Sequence, residues 1–220
     1  MQNDFWSPIL LSLKVASISA AIVLVLGILI SRVLAFKQFK GKMMLETLLL
    51  MPLVLPPTVI GFLLIYFFGR NSPIGSLFED LFAQSIIFTP MAAVIASTIV
   101  AFPLMYQTVK TGFQAVDKDI EEAARIDGAN EFNVFLHVTL PLSVKSIITG
   151  LILSFARALG EFGATLMFAG NIPGKTQTAP TAIYIAMESG NLKLAWLLVL
   201  SMILISFFML LTTNLSQKRP

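Results

Sequence analysis

The sequence contains no cysteine, and only 12% of its 220 residues are charged. Without cysteine the chain has no disulfide bonds, no thiolate metal ligands and no cysteine nucleophile. Its single histidine, His137, has no second imidazole and no carboxylate cluster at metal-binding spacing beside it, so no metal site is expected. No nucleophile and base stand in a recognisable arrangement, which argues against an enzyme.

Apolar residues are correspondingly abundant. They make up 56% of the chain, whose mean hydropathy is +0.85, whereas an ordinary soluble domain has about 25% charged residues. This composition predicts an integral membrane protein surrounded by lipid. The formal charge of +3 comes from scattered rather than clustered basic residues, so nucleic acid is not an expected partner.

Five long apolar stretches divide the chain, and each can cross a hydrocarbon core of about 30 Å as a helix. A helix is the only open-chain form that satisfies its own backbone hydrogen bonds in lipid. The first stretch is too long for a signal peptide and no basic segment precedes it, so it is expected to remain as a span. We therefore predict an all-α polytopic membrane protein with one transmembrane domain over residues 1–220, a core over residues 8–215, and spans at Ile9–Ser31, Leu45–Phe68, Ile86–Val109, Ile147–Phe168 and Leu194–Leu215.

Lysine and arginine concentrate on one side of these spans. Three flank the other side, Arg70, Lys175 and Lys193, against ten on the favoured side, Arg32, Lys37, Lys40, Lys42, Lys110, Lys118, Arg125, Lys145, Lys218 and Arg219. Because basic loops stay in the cytoplasm, the N-terminus is predicted outside and the C-terminus inside, with segment 111–145 in the cytoplasm. Outside, the sequence "TAIYIAMESG" is too short to span and predicts a short interfacial helix.

The cytoplasmic segment carries an unusual density of charge and reads as two short helices. Asp117 is a plausible N-cap, acidic residues follow in the first turns, and Gly128 is suited to end the helix. Ile120, Ala123 and Ala124 fall on one face. A second amphipathic piece follows up to Pro141, with its predicted apolar side formed by Phe132, Phe135 and Leu136.

Small residues on the first helix would let a partner approach its backbone closely, while the surrounding carboxylates remain solvated. Such a face suits a shallow cleft on another protein. The alternative is a solvated loop lying on the bilayer, and amphipathicity alone does not separate the two.

The spacing within this segment separates them. Glu122-Ala123-Ala124, three residues, Gly128, nine residues and Val138-Thr139-Leu140-Pro141 resemble the E-A-A-x-x-x-G-x9-I-x-L-P signature of ABC importer permeases, with Val138 in the isoleucine place. The resemblance implies a coupling helix that docks into a groove on an ATP-hydrolysing subunit. It assigns the ATPase-coupling role to Glu121, Glu122, Ala123, Ala124, Asp127, Gly128 and Pro141.

The resemblance extends from Pro8 to Leu215 and indicates a type I importer permease. Segments Met51–Gly69 and Phe155–Asn171 are similar to the molybdate and sulfate permeases, and the compact chain is more similar to the molybdate member. This implies a homodimer around one pathway in a bacterial or archaeal cytoplasmic membrane. Two separate ABC ATPase subunits would bind ATP and Mg²⁺, so no cofactor is expected in this chain, and an external binding protein would deliver the oxyanion.

The substrate and the transport class each have an alternative. Sulfate and tungstate share the charge and tetrahedral shape of molybdate. A passive channel or an ion-coupled carrier is the competing class, but carriers often show inverted repeats and several deep ionisable residues, neither of which is clear here.

Three prolines interrupt the second predicted span. Pro52, Pro56 and Pro57 remove backbone donors, so the helix is expected to kink or unwind, which membrane proteins tolerate inside protein or beside a watery cavity. Such a kink can line a pathway, with Thr58 as the nearest polar group. A simple packing kink against a neighbouring helix is the alternative.

Arg157 and Glu161 lie four residues apart in the fourth predicted span and are expected to pair on one helix face. Charges at bilayer depth cost at least about 2.5–3.5 kcal/mol near the centre, so both should face the bundle interior or water. One interpretation is a pathway or gate for an anion; the other is a clamp that fixes helix packing.

Small residues also recur at four-residue intervals in this span. Ala156, Gly160 and Ala164 predict close helix packing, including a homodimer interface. Two further ionisable residues, Lys14 and Glu46, lie near span ends and are expected to extend to the interface without a function.

One motif points to a different function. "AGNIPGKT", Ala169–Thr176, fits a loose Walker pattern, which would make this chain an ATPase. A phosphate loop needs a preceding strand and a following helix, whereas here a membrane helix precedes and the segment is predicted outside. We interpret it as a chance match.

Overall fold

The computed structural model describes residues 5–217, so Lys218 and Arg219 of the predicted cytoplasmic set lie outside the described residues. The described part is helical, which confirms the all-α prediction. In chain order it contains α1 (Trp6–Phe36), α2 (Lys42–Val54), α3 (Pro57–Phe68), α4 (Pro73–Phe82), α5 (Pro90–Gln114), α6 (Lys118–Ile126), α7 (Glu131–Val134), a π-helical turn (Phe135–Thr139), α8 (Leu140–Leu142), α9 (Val144–Leu159), α10 (Gly163–Ala169), α11 (Ala179–Glu188) and α12 (Leu192–Gln217).

Three helices are long and apolar enough to cross a membrane by themselves: α1, α5 and the part of α12 over Leu192–Leu211. Two further crossings are possible as bent pairs. The axes of α2 and α3 differ by 117°, and those of Glu131–Leu142 and α9 by 69°. By length and composition the described residues therefore contain three candidate spans, or up to five if each bent pair counts as one, and the predicted number of five corresponds to the second case.

The second predicted span is broken rather than continuous. Leu55 is extended because it precedes Pro56, and Pro57 begins α3, where a missing backbone N–H costs nothing. The kink predicted from the prolines is confirmed as a full break. In the first turns of α2, Glu46 does not extend freely to the interface but pairs with Lys110 of α5 at 2.6 Å.

The fourth predicted span, Ile147–Phe168, is not one helix, and that prediction is wrong. Helix α9 ends at Leu159, residues 160–162 are non-helical, and α10 starts at Gly163. The carboxylate of Glu161 accepts a hydrogen bond from the Ala164 N–H at 2.9 Å and so caps α10. The capping carboxylate stabilises a new helix start, which competes with continuation of α9.

Helices α1, α5 and α9 pack against one another and form the centre of the bundle. Met105 of α5 packs against both α1 and α9 and is fully buried. A Cβ added at Gly27 of α1 would lie 2.5 Å from Met105 Cγ, and one at Gly150 of α9 would lie 2.9 Å from Met105 Sδ. Glycines on both neighbours thus allow this close approach.

The short helix predicted for "TAIYIAMESG" is confirmed as α11, which has 10 residues, and its place at the outer interface stays a prediction. It packs against α12 and the start of α1 through a cluster that contains Ile9, Ala182 and Leu198. The buried Ser12 hydroxyl accepts a hydrogen bond from the Ala179 N–H at 2.7 Å. This contact fixes the beginning of α11 against α1.

Candidate functional site

Helix α6 begins and ends where the sequence predicts. The Asp117 side chain caps its start by accepting a hydrogen bond from the Asp119 N–H at 3.0 Å. At its end Gly128 has φ +91, and the N–H of Ala129 donates to the Ala124 carbonyl at 3.0 Å. Together with a bond from the Gly128 N–H to the Arg125 carbonyl, this is a Schellman motif.

An apolar face of α6 points away from the protein. Ile126 is 86% exposed and Ile120 46% exposed, with the exposed Ala123 between them. The carboxylates of Glu122 and Asp127 border this face and are also exposed. Ala124 is only half-buried. The sequence analysis missed Ile126, which could have been found because Ile120, Ala123 and Ile126 follow one another at three-residue intervals.

Glu121 differs from the other carboxylates of this helix because it is buried, with 5% of its surface exposed. Its Oε1 accepts a hydrogen bond from Thr139 Oγ1 at 2.6 Å, and its Oε2 lies 3.6 Å from Arg125 Nη2. The prediction that the carboxylates around the alanines all remain solvated is therefore wrong for Glu121. Its position ties α6 to the π-helical turn.

Arg125 connects both halves of this segment. Its Nε lies 2.7 Å from Glu131 Oε1, and its Nη2 donates to Glu131 Oε2 at 3.3 Å. These hydrogen bonds raise the pKa of Arg125 and lower the pKa of Glu131. The Glu131 side chain is 75% exposed, so solvent screens the pair and it contributes little to stability.

The second half of the segment buries a different face from the predicted one. Val134, Phe135 and Thr139 are buried, whereas Phe132 is 58% and Leu136 41% exposed. Of the three residues predicted to form the apolar side, only Phe135 is buried. The π-helical turn explains the burial of Thr139 together with Val134, because residues five apart share a face there; Phe132 precedes this turn, and its exposure has no such explanation.

The C-terminal end of α1 supports this unit. The guanidinium of Arg32 lies 4.1 Å from the centre of the Phe135 ring and donates to the Glu131 carbonyl at 3.5 Å. A contact of this kind between a cation and an aromatic face is attractive. We use the name coupling unit for residues 117–142, which are thus held both by α1 and, through the bend at Ser143, by α9.

The breaks in the second and fourth spans meet. A Cβ added at Gly163 would lie 2.8 Å from Pro57 Cβ, and one at Gly61 would lie 3.3 Å from Ala164 Cα. Pro56 and Thr58 of the first break are exposed in this chain. The close packing predicted for Ala164 therefore occurs, but inside the chain against α3.

Gly160, in contrast, is exposed and a Cβ there would have no neighbour closer than 3.6 Å. The half-buried Ala156 belongs to α9, which ends at Leu159, whereas Ala164 belongs to α10. Gly160 lies in the break between these two helices. The predicted stripe is therefore interrupted by the break, while the homodimer contact predicted for these residues stays a prediction.

Arg157 and Glu161 pair as expected, with Arg157 Nη1 2.7 Å from Glu161 Oε2. Glu161 has left the helix, however, and its side chain is 1% exposed, against 32% for Arg157. Both carboxylate oxygens have partners, because Oε1 accepts from the Ala164 N–H. The ion pair and the break it stabilises lie next to the contact between Pro57 and Gly163.

The Walker-like segment lacks the geometry of a phosphate loop. Helix α10 precedes it, and the next helix starts only at Ala179. Thr176 is buried, and its hydroxyl accepts a hydrogen bond from the Ile172 N–H at 3.0 Å within the loop. The segment is a compact turn closed by its own threonine.

The sequence model of the family described as "Binding-protein-dependent transport system inner membrane component" matches residues 15–220. The chain belongs to this family. It is therefore a multi-pass inner-membrane transport component and not itself an ATPase.

Several relatives of this permease family cover nearly the whole chain. A Bacillus subtilis protein named for a molybdenum transport system permease is 56% identical over 94% of this chain and 92% of its own length. The molybdenum transport system permease protein of Escherichia coli is 40% identical over 96% of this chain and 93% of its own. That of Haemophilus influenzae is 42% identical over 97% and 93%.

Solved structures of ABC transporters share the fold of this permease. A bacterial transporter involved in the import of the acidic polysaccharide alginate superposes with a TM-score of 0.77 at 14% identity, covering 100% of this chain and 80% of that one. A methionine ABC transporter in an inward-facing conformation gives 0.71 at 15% identity, covering 96% and 91%.

Proposed function

We propose that this chain is the permease subunit of an ATP-driven importer of molybdate, delivered by an external binding protein. The exposed apolar face of α6 is the observation that carries the transport mechanism. Ile120, Ala123 and Ile126 project from a helix that is fixed at both ends and bordered by carboxylates. That face suits a groove on an ATPase subunit.

The docking proposal includes two copies of this chain, each with one ATPase subunit that binds ATP and Mg²⁺. ATP-driven closure of the two ATPases would move both α6 helices. The buried Glu121–Thr139 hydrogen bond would pass that movement to the π-helical turn and on to α9. At the far end of α9 lies the Arg157–Glu161 pair, next to the break at Pro56 and Pro57, with Thr58 exposed beside it.

The substrate proposal has separate support. The relatives described above are named for molybdenum transport, at 40 to 56% identity over almost the whole chain. A dianion cannot cross hydrocarbon unaided, so the chain must offer it a polar route open to one side at a time. We propose that Arg157 supplies positive potential to this route and that Glu161 holds Arg157 in place. Tungstate and sulfate are the alternatives that the experiment separates.

The test is ATP hydrolysis by this chain reconstituted with its ATPase, stimulated in turn by binding protein loaded with molybdate, tungstate or sulfate. We expect stimulation by molybdate. Stimulation by sulfate alone would overturn the proposal that molybdate is the substrate. Uptake without the ATPase would overturn the proposal of an ATP-driven importer in favour of a carrier or channel.

Docking through α6 is tested separately with Ile126→Glu. This side chain is almost fully exposed, so the change should leave stability unaltered while weakening ATPase binding at least tenfold, about 1.4 kcal/mol. Ile126→Met, which keeps an apolar contact, is the matched control. Equal binding by the two variants would place the ATPase elsewhere on the chain.

A further inference from the structure

A groove between α1 and α5 takes no part in the function proposed above. Its volume is about 580 Å³, and two lysines line it: Lys14 of α1 and Lys175 of the loop before α11. The groove also has apolar walls, with Ile18 and Ile22 on the α1 side and Met91 on the α5 side. No acidic residue is among the described residues that line it.

The depth of Lys14 makes this groove unusual. Helix α1 starts at Trp6, which is 65% exposed, and the start of α12 beside it carries Trp196, which is 63% exposed. Exposed tryptophans mark the membrane–water interface. Lys14 lies eight residues further along α1, about 12 Å at 1.5 Å per residue, so its backbone is placed below that interface, deeper than the span-end position expected from the sequence.

A cation at this depth requires a counter-charge or access to water. Within the described part of the chain, neither Lys14 nor Lys175 lies within salt-bridge distance of a carboxylate. Both side chains are exposed. The positive charge in the groove is thus available to an anionic ligand.

We propose that this groove binds one anionic phospholipid of the surrounding bilayer. Its phosphate lies between Lys14 and Lys175, and an acyl chain follows Ile18 and Ile22. These α1 residues share one helix face because they are spaced by four, so the chain continues directly from the phosphate into the bilayer. The apolar walls favour a lipid over a free anion, and the two lysines favour an anionic over a zwitterionic lipid.

The test is native mass spectrometry of the purified full-length chain titrated with phosphatidylglycerol and, separately, with phosphatidylcholine of the same acyl chains. We expect tighter binding of phosphatidylglycerol. The double variant Lys14→Gln, Lys175→Gln should lower that affinity roughly 20- to 30-fold, because each basic residue contributes about a factor of five.

Two controls accompany this variant. Lys193→Gln removes an exposed lysine from the start of α12, which does not line the groove, and should leave the affinity unchanged. The double variant Lys14→Arg, Lys175→Arg keeps both charges and should retain binding.

Three results would overturn the proposal. The first is equal phosphatidylglycerol affinity in the Gln double variant and the unmodified chain. The second is displacement of the lipid by millimolar inorganic phosphate, which would indicate a free-anion site. The third is cross-linking of Ile18→Cys between two copies in membranes, which would show that a second copy covers the groove.

Discussion

Single residues decide how the coupling unit is attached to the rest of the protein. Glu121 and Thr139 are both buried and lie 18 positions apart in sequence, and the hydrogen bond between them joins α6 to the π-helical turn. A carboxylate in this position needs its partners, since a buried charge that loses one is left incompletely compensated. This buried contact therefore contributes more to the stability of the coupling unit than the exposed Arg125–Glu131 pair does.

Thr139→Val removes the hydroxyl and keeps the shape of the side chain. We expect a loss of about 1–3 kcal/mol in the free energy of unfolding, because the Glu121 carboxylate loses a buried donor. We also expect less uptake per ATP hydrolysed. Chemical denaturation and reconstituted transport measure the two effects. The matched control is Thr47→Val, whose exposed hydroxyl bonds only to its own helix; equal effects of both variants would contradict the role of Thr139.

Gly128 is required for its backbone conformation and not for close packing against a neighbour. Its φ is +91, and an added Cβ would meet no atom within 4 Å. Gly128→Val should therefore distort the end of α6 at a cost of about 1–3 kcal/mol and abolish transport without preventing membrane insertion. Uptake and membrane-fraction yield are the measurements. Gly128→Asn, which tolerates the left-handed conformation, should retain transport; normal uptake by the valine variant would refute the role.

At the scale of elements, the breaks in the second and fourth predicted spans lie against each other. Pro57 at the start of α3 and Gly163 at the start of α10 are in direct contact, and Gly61 allows α10 to approach α3. Proline breaks the second span, while glycine and a capping carboxylate break the fourth. Because the breaks are adjacent, a change in one is expected to affect the other.

The contact between the breaks predicts different results for two nearby glycines, Gly163 and Gly160. Gly163→Ala places a methyl group 2.8 Å from Pro57 Cβ, so we expect destabilisation of about 1–3 kcal/mol from overpacking. Gly160→Ala meets nothing closer than 3.6 Å and should be neutral or slightly stabilising. Thermal unfolding of both variants in detergent measures this. Greater damage from the Gly160 variant would restore the small-residue stripe that the sequence predicted.

At the scale of the whole molecule, the topology depends on whether each bent helix pair crosses the membrane. If α2 and α3 together cross once, residues 40 and 84 lie on opposite sides. If they return to the same side, both lie together and the later helices are inverted relative to the prediction. The proposed arrangement has the N-terminus outside and the coupling unit in the cytoplasm.

The absence of cysteine makes this topology directly measurable, because single cysteines can be introduced without removing others. We expect Gln84→Cys to react with a membrane-impermeant maleimide in intact cells. Lys40→Cys should react only after permeabilisation. Labelling of both in intact cells would show that α2 and α3 form a re-entrant pair rather than a span.

Local features of the chain were predictable because their causes are local. Apolar run length predicts the helices, Asp117 and Gly128 predict the ends of α6, and adjacent prolines predict the break after Leu55. Spacing in the coupling unit also predicts the family. The break at residues 160–162 was missed because it depends on a buried carboxylate that caps a helix, and an apolar sequence around it is equally compatible with a continuous span.

The sequence by itself thus determined that this is an all-α membrane permease with a short amphipathic helix at α6, since composition, run length and motif spacing act through neighbours along the chain. Only the tertiary structure decided which side chains of that helix are buried, that the two breaks touch, and that Lys14 and Lys175 share a groove. Those facts depend on residues far apart in sequence, and the packing of α1, α5 and α9 brings them together.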